Sequence, residues 1–209
     1  MATLEHPRSA GRTALFAPLD APEARITSEE YDRSFLDAPR PVPKVELVRG
    51  RLIFHHMPYR LHARALARVL EAFVGIGLSD LEVLPTVTST FGEDRFEPDV
   101  ALIRPHDKEL NRMVDRSEIQ LAIEVSVSSL VYDRGEKTIY YAEGGIPEYW
   151  IVNPVARQIE IYRRPENGAY QDVYLLLPGE QMDALCLPGH EFAVDDLLPS
   201  VATDGSETA

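Results

Sequence analysis

Residues 119–130 read IQLAIEVSVSSL, a run that is apolar or small at most positions and carries a carboxylate at Glu124. The run has the length and residue preference of a buried β-strand. A charge inside such a strand is tolerated when it is paired, hydrogen-bonded or bound to a metal. Side chains alternate along a strand, so Leu121, Ile123, Val125 and Val127 point one way and Ala122, Glu124, Ser126 and Ser128 the other. The face that bears Glu124 is therefore small and polar, and it has room for something that a carboxylate can hold.

A second acid stands in a similar setting. In EPDVALI, Asp99 follows Pro98 and opens an apolar strand, twenty-five positions before Glu124. Two neighbouring strands can bring these carboxylates together, where they would repel unless a cation sits between them. Oxygen-only ligands favour Mg²⁺ or Mn²⁺, completed by water and substrate phosphate. Downstream, DRGEKTIYYAEG reads as helix, and Asp133, Lys137 and Tyr141 are spaced four apart on one face of it. A lysine returning to the two acids would orient a nucleophile and stabilise negative charge developing on phosphate. Glu46, in KVELVRG, adds a further acid near the start of the sheet.

The remaining segments supply a scaffold. TSEEYDRSFLDAPRP opens with Thr27 and Glu30 in capping-box spacing and predicts a short helix that ends at prolines. KVELVRGRLIFHHM alternates on both sides of Arg49-Gly50 and predicts a hairpin. His55 and His56 are adjacent and so face opposite sides of a strand, which argues against a shared metal, and at most one of them faces the site. RLHARALARVLEAFVGIGL places Leu61, Ala65, Leu66, Val69, Leu70 and Phe73 at helical spacing and shows Arg60, Arg64 and Arg68 on another face. Strand-like segments follow around EVLPTVTSTF, EPDVALIRP and IQLAIEVSVS, and after the second helix come EYWIVN, QIEIYRR and YQDVYLLL. Helices interspersed with such strands give an α/β or α+β domain on one mixed sheet. The expected organisation is a mobile segment 1–26, a single domain 27–199 and a disordered tail 200–209.

Composition narrows the function. The net charge of −13 opposes a sticky, sequence-independent nucleic-acid binder. Yet residues 44–77 hold six Lys/Arg against two Asp/Glu, while 165–209 hold nine acids and neither Lys nor Arg, so a local positive surface survives. Cys186 is the single cysteine, which excludes an internal disulfide and a multi-cysteine zinc site and makes it a packed core residue. The chain has no apolar run of membrane-spanning length and no secretory leader pattern, and the expected location is the cytoplasm. Gly-x-Ser-x-Gly, phosphate-loop, Gly-x-Gly-x-x-Gly and His-Glu-x-x-His patterns do not occur.

The order and spacing of VELVRGRLI, PDVALI, LAIEVSVSS, DRGEKTIYYAEGGIPEYWIVNP and IEIYRRP resemble the Uma-two family of restriction-type endonucleases, within the PD-(D/E)XK nuclease superfamily. The resemblance covers roughly residues 27–165 and is most specific in GGIPEYWIVNP. It implies a restriction-endonuclease-like central mixed sheet flanked by helices, and Mg²⁺- or Mn²⁺-dependent hydrolysis of DNA. Position by position it implies that Asp99, Glu124 and the backbone carbonyl of Val125 hold the metal, with Glu46 holding a second metal or its water. The superfamily lysine two places after the Glu is Ser126 here, and its task falls to Lys137. Arg60, Arg64 and Arg68, with His62 and Tyr141, are the expected nucleic-acid contacts. Symmetric cutting calls for a homodimer, with YQDVYLLL or FAVDDLLP as interface. Two other classes compete. One is an inactive nuclease-like module that binds nucleic acid or assembles, and the weaker one is a carboxylate-pair glycosidase.

Overall fold

The computed structural model describes residues 25–36, 44–55, 59–78, 80–107 and 109–200. The expectations for residues 1–24, for His56 and for residues 201–209 concern chain outside these.

The first element among the described residues is α1 (Ser28–Tyr31), which continues as one wide helical turn to Leu36. Thr27 and Glu30 close the capping box in both directions, as their spacing predicts. Strands β1 (Val45–Val48) and β2 (Arg51–Phe54) form the hairpin, with Val45 opposite Phe54 and Val48 opposite Arg51. Arg49 and Gly50 both take positive φ, 51° and 77°, the geometry of a two-residue turn whose twist matches the strands it joins. Then come α2 (Arg60–Val74), β3 (Glu82–Pro85), β4 (Ser89–Phe91), β5 (Asp94–Phe96), β6 (Val100–Ile103), β7 (Val114–Asp115) and β8 (Ile119–Val125). After β8 the chain winds through α3 (Leu130–Tyr132), a wide turn at Asp133–Lys137 and α4 (Thr138–Glu143). The last elements are β9 (Glu148–Asn153), β10 (Gln158–Glu166), β11 (Ala169–Leu176), β12 (Gln181–Asp183), β13 (Glu191–Ala193) and α5 (Val194–Leu197).

These strands make a six-stranded sheet in the order β11-β10-β9-β8-β6-β3, a five-stranded sheet in the order β2-β1-β5-β4-β7, and the pair β12-β13. β8 and β9 run parallel, as do β4 and β7, and the other pairs are antiparallel, so both large sheets are mixed. The expected α+β class and central mixed sheet are found, with a second sheet beside it that the sequence pattern did not separate. EVLPTVTSTF reads as one strand-like segment, but Thr86 takes φ 48° and breaks it, sending β3 to one sheet and β4 to the other.

β8 is central, and the alternation along it divides the interior. Leu121, Ile123 and Val125 pack with Ala65, Val69 and Phe73 of α2 and with Trp150 and Val152 of β9. Ala122 faces the other way, toward Tyr140 and Tyr141 of α4, Tyr149 and Ile151 of β9, and Phe91 and Phe96 of the five-stranded sheet. Burial on both faces is why β8 and β9 read as nearly continuous apolar runs. Tyr149 and Trp150 are wholly buried core aromatics. Cys186 packs at the edge of the first cluster, and burial pushes its thiol up to about 11. Among the described residues no helix is long and apolar enough to cross a membrane.

Candidate active site

The two strand acids meet because of register. β6 and β8 are antiparallel with Val100 opposite Ile123 and Ala101 opposite Ala122, so the next position sets Asp99 across from Glu124. Residues directly opposite in such a pair share a face of the sheet. Asp99 is then fixed by the backbone N–H of Val125, which donates to its Oδ2 at 2.9 Å. Both acids are buried, and both line the floor of a cleft of about 560 Å³.

Lys137 reaches the same spot from the wide turn before α4. Its Nζ donates to Glu124 Oε1 at 2.6 Å and lies 3.0 Å from Glu46 Oε1. Tyr141, one turn on, donates its hydroxyl to the same Glu124 oxygen at 2.8 Å. The four-residue spacing thus delivers a lysine and a tyrosine to the acids. Asp133 begins the series and accepts from Ser126 and Ser129 at 2.5 and 2.6 Å, which ties the end of β8 to the helix.

The structure revises three expectations about these residues. Tyr141 is 0% exposed and spends its hydroxyl on Glu124, so it orients that carboxylate and has no surface for nucleic acid. Lys137 is likewise 0% exposed and sits behind the acids rather than in the cleft. Glu46 does not line the cleft, and both its oxygens are engaged. Oε1 accepts from the Glu97 N–H at 3.0 Å and faces Lys137, while Oε2 lies 2.8 Å from His55 Nε2 and 3.4 Å from the Tyr132 hydroxyl. Glu46 thereby anchors Lys137 from the side away from the cleft.

Among the described residues the lysine that lines the cleft is Lys44, which the sequence pattern does not single out. Its Nζ donates to Asp99 Oδ1 at 2.9 Å and lies 3.8 Å from Glu124 Oε2. The signal was present in Lys44-Val45-Glu46, since alternation along β1 puts the lysine on the face of the acid two places on. His62, from the first turn of α2, sets its Nε2 3.0 Å from Asp99 Oδ2, while its Nδ1 is buried without a hydrogen-bond partner among the described residues. His55 lines the cleft as well.

The arginine stripe lies elsewhere. Arg64 and Arg68 line a separate groove with Arg157, Asp195 and Ser200. Arg68 is paired with Glu71 at 2.9 Å and lies 3.6 Å from Asp196, and Arg64 donates to Ser200 at 3.4 Å. Arg68 thus meets the acidic start of α5, and Arg64 the residue Ser200 beyond it. Arg60 stays exposed at the first position of α2, beside the cleft residue Tyr59.

Electrostatics follow from counting charges: Glu46, Asp99 and Glu124 face Lys44 and Lys137. Burial opposes ionisation of Asp99, but Lys44 and the hydrogen bond from His62 outweigh it and hold the carboxyl well below the usual range. Glu46 is drawn down to about 2, with Lys137 and His55 overcoming its burial. The unbalanced negative charge is resolved on Glu124, which burial, with Asp99 and Asp133 nearby, raises to about 8. Lys137 keeps its proton firmly, because Glu124 and Glu46 more than offset its burial.

An acid pair opposed across two strands, a lysine returning from the next helix and a glutamate on a preceding strand form an ordered set along the chain. Residues 29–195 match the sequence profile of the Uma2 family, described as "Putative restriction endonuclease". The chain belongs to that family. A solved structure with a similar fold, described as a "putative nuclease belonging to DUF820" from Anabaena variabilis, aligns with a TM-score of 0.64 at 17% identity, covering 82% of this chain and 97% of that one. At that identity the likeness concerns the fold, which is restriction-endonuclease-like. A search of curated proteins finds no match. The Uma2 match extends past the 27–165 span of the resemblance, to β12, β13 and the start of α5.

A divalent cation fits the cleft on donor chemistry. Among the described residues no three His, Cys, Asp or Glu side chains stand together as a ready metal cage. Of the three carboxylates that line the cleft, Asp133 is taken up by Ser126 and Ser129, and Asp99 and Glu124 are hard oxygen donors; Mg²⁺ binds through one or two carboxylates with water and substrate phosphate supplying the rest.

Proposed function

We propose that this Uma2-family chain is a Mg²⁺- or Mn²⁺-dependent endonuclease that hydrolyses DNA phosphodiester bonds. The observation that carries the reading is Asp99 opposite Glu124 at the floor of the cleft, with Lys44 in front of them and Lys137 behind. Asp99, Glu124 and the Val125 carbonyl would hold the cation. When bound, it polarises the phosphate and makes water a competent nucleophile. Lys44 Nζ, facing the cleft, contacts a non-bridging phosphate oxygen and stabilises the charge that develops there. Lys137, held by Glu46, and Tyr141 keep Glu124 aimed at the cleft. Glu124 would hold the cation in its carboxylate form. His62 and Arg60, at the start of α2, meet the flanking backbone.

The test is plasmid nicking in Mg²⁺ and Mn²⁺ beside calorimetric titration of the same ions, with wild type, Asp99→Asn and Glu124→Gln. Wild type binds and nicks, and each variant loses both. Undiminished nicking by both variants would remove these acids from the chemistry. A second reading, an inactive nuclease-like module, is favoured by Ser126, which stands where the superfamily lysine would be and is committed to Asp133. It takes over if wild type binds DNA but never cuts it. The nuclease reading also includes a homodimer, supported by the edge strand β11, whose Val173 and Leu175 are exposed.

A further inference from the structure

The walls of the cleft carry information that its floor does not. They are largely apolar, with Ile53, Phe54, Tyr59, Ala63, Leu66 and Val127 beside the polar Thr86, Ser128 and Ser129. Two of these are aromatic and strongly exposed, Phe54 at 64% and Tyr59 at 67%. Large exposed aromatics beside a polar floor fit a partner with a flat face and a charged backbone.

A protein that follows duplex DNA neutralises several phosphates with Lys and Arg. Among the described residues lining this cleft there is one lysine, Lys44, already bonded to Asp99, and no arginine. Arg64 and Arg68 belong to the other groove. The volume of about 560 Å³ falls within the roughly 300–1,000 Å³ of sites that take one small molecule. One nucleotide fits that description, and two paired strands do not. From the exposed aromatic pair, the apolar walls and the scarcity of cleft cations, we infer that the cleft takes an unpaired nucleotide, its base stacked on Tyr59 or Phe54 and its phosphate over Asp99, Glu124 and Lys44. The substrate class is then single-stranded DNA, or a gap, flap or extruded base in a duplex. This rests on the nuclease reading for the phosphate end only.

Binding is measured by fluorescence anisotropy with one oligonucleotide as a single strand, as a duplex and as a gapped duplex. Calcium is the cation, and cleavage in Mg²⁺ and Mn²⁺ is followed separately. 2-Aminopurine in the unpaired segment reports stacking by quenching. The single strand and the gap should bind at least about tenfold tighter than the duplex, with quenching, since stacking one base contributes substantially. Of Tyr59→Ala and Phe54→Ala, at least one should weaken the single strand by roughly tenfold, relieve the quench and leave the duplex unchanged. Both residues are exposed, so the variants keep the fold. Equal affinity for duplex and single strand, or unaltered quenching in both variants, overturns the inference. So does a dimer, seen by sedimentation, that Phe54→Asp dissolves, since the aromatics would then belong to a contact between copies. Cleavage of duplex without stacking leaves the nuclease reading intact and removes this inference. Stacking without cleavage does the reverse.

Discussion

Lys137 Nζ lies between Glu124 Oε1 and Glu46 Oε1, 2.6 and 3.0 Å away, and all three side chains are buried. Removing one partner of a buried ion pair costs about 3–5 kcal/mol, because the other is left uncompensated. Lys137→Met should lower the unfolding free energy by about that much, read from urea midpoints. A loss under about 1 kcal/mol would mean that the carboxylates simply take up protons in its absence.

Lys44 should behave differently. Its side chain is partly exposed, and Asp99 keeps His62 and the Val125 N–H when Lys44 is gone. Lys44→Met is therefore expected to unfold closer to wild type than Lys137→Met does. Losing one preorganised donor to the developing charge costs roughly 100-fold in turnover. Removing a positive charge beside the two acids should meanwhile tighten Mn²⁺ binding. Nicking rates and Mn²⁺ calorimetry on one preparation check both directions, and weaker Mn²⁺ binding would show that Lys44 helps to build the site rather than acting on substrate.

Glu124 sets a pH dependence of stability. Burial raises its folded-state value from 4.5 to about 8. Between those values the folded chain holds a proton that the unfolded chain has released, so stability falls as pH rises through that window, by at most about 1.4 kcal/mol per unit. The contribution is fully present below 4.5. Glu124→Gln has no such proton to lose, and its melting temperature should gain on wild type between pH 5 and 8. Parallel curves for the two proteins would contradict the raised value.

β11 is an edge strand that exposes Val173 and Leu175, and unprotected edges pair with other chains. Sedimentation equilibrium should find a dimer of wild type and a monomer of Val173→Lys/Leu175→Lys. A monomeric wild type at all concentrations would remove the homodimer.

Much of the acid cluster was legible in the sequence, and the reason is local periodicity. Alternation along β8 gave the face of Glu124, and spacing of four brought Lys137 and Tyr141 to it. Lys44 escaped notice because its partner Asp99 is 55 positions away, and a lysine at a strand start looks like solvent-facing charge. The arginines were correctly placed on one helix face, but a spacing of four cannot say which neighbour that face meets. Here it is Ser200 and the acidic α5. The second sheet was hidden because one residue, Thr86, turns the chain out of the first.

The facing of Asp99 and Glu124 across β6 and β8 carries one more implication. A slip of one residue between those strands would send the side chains of one of them to the opposite face. The acid pair therefore comes into being only when that strand pairing closes in its native frame, and it vanishes when the pairing opens. A cell holding half-folded copies of this chain would hold no half-competent cutters, because the pairing that completes the fold also arms the site.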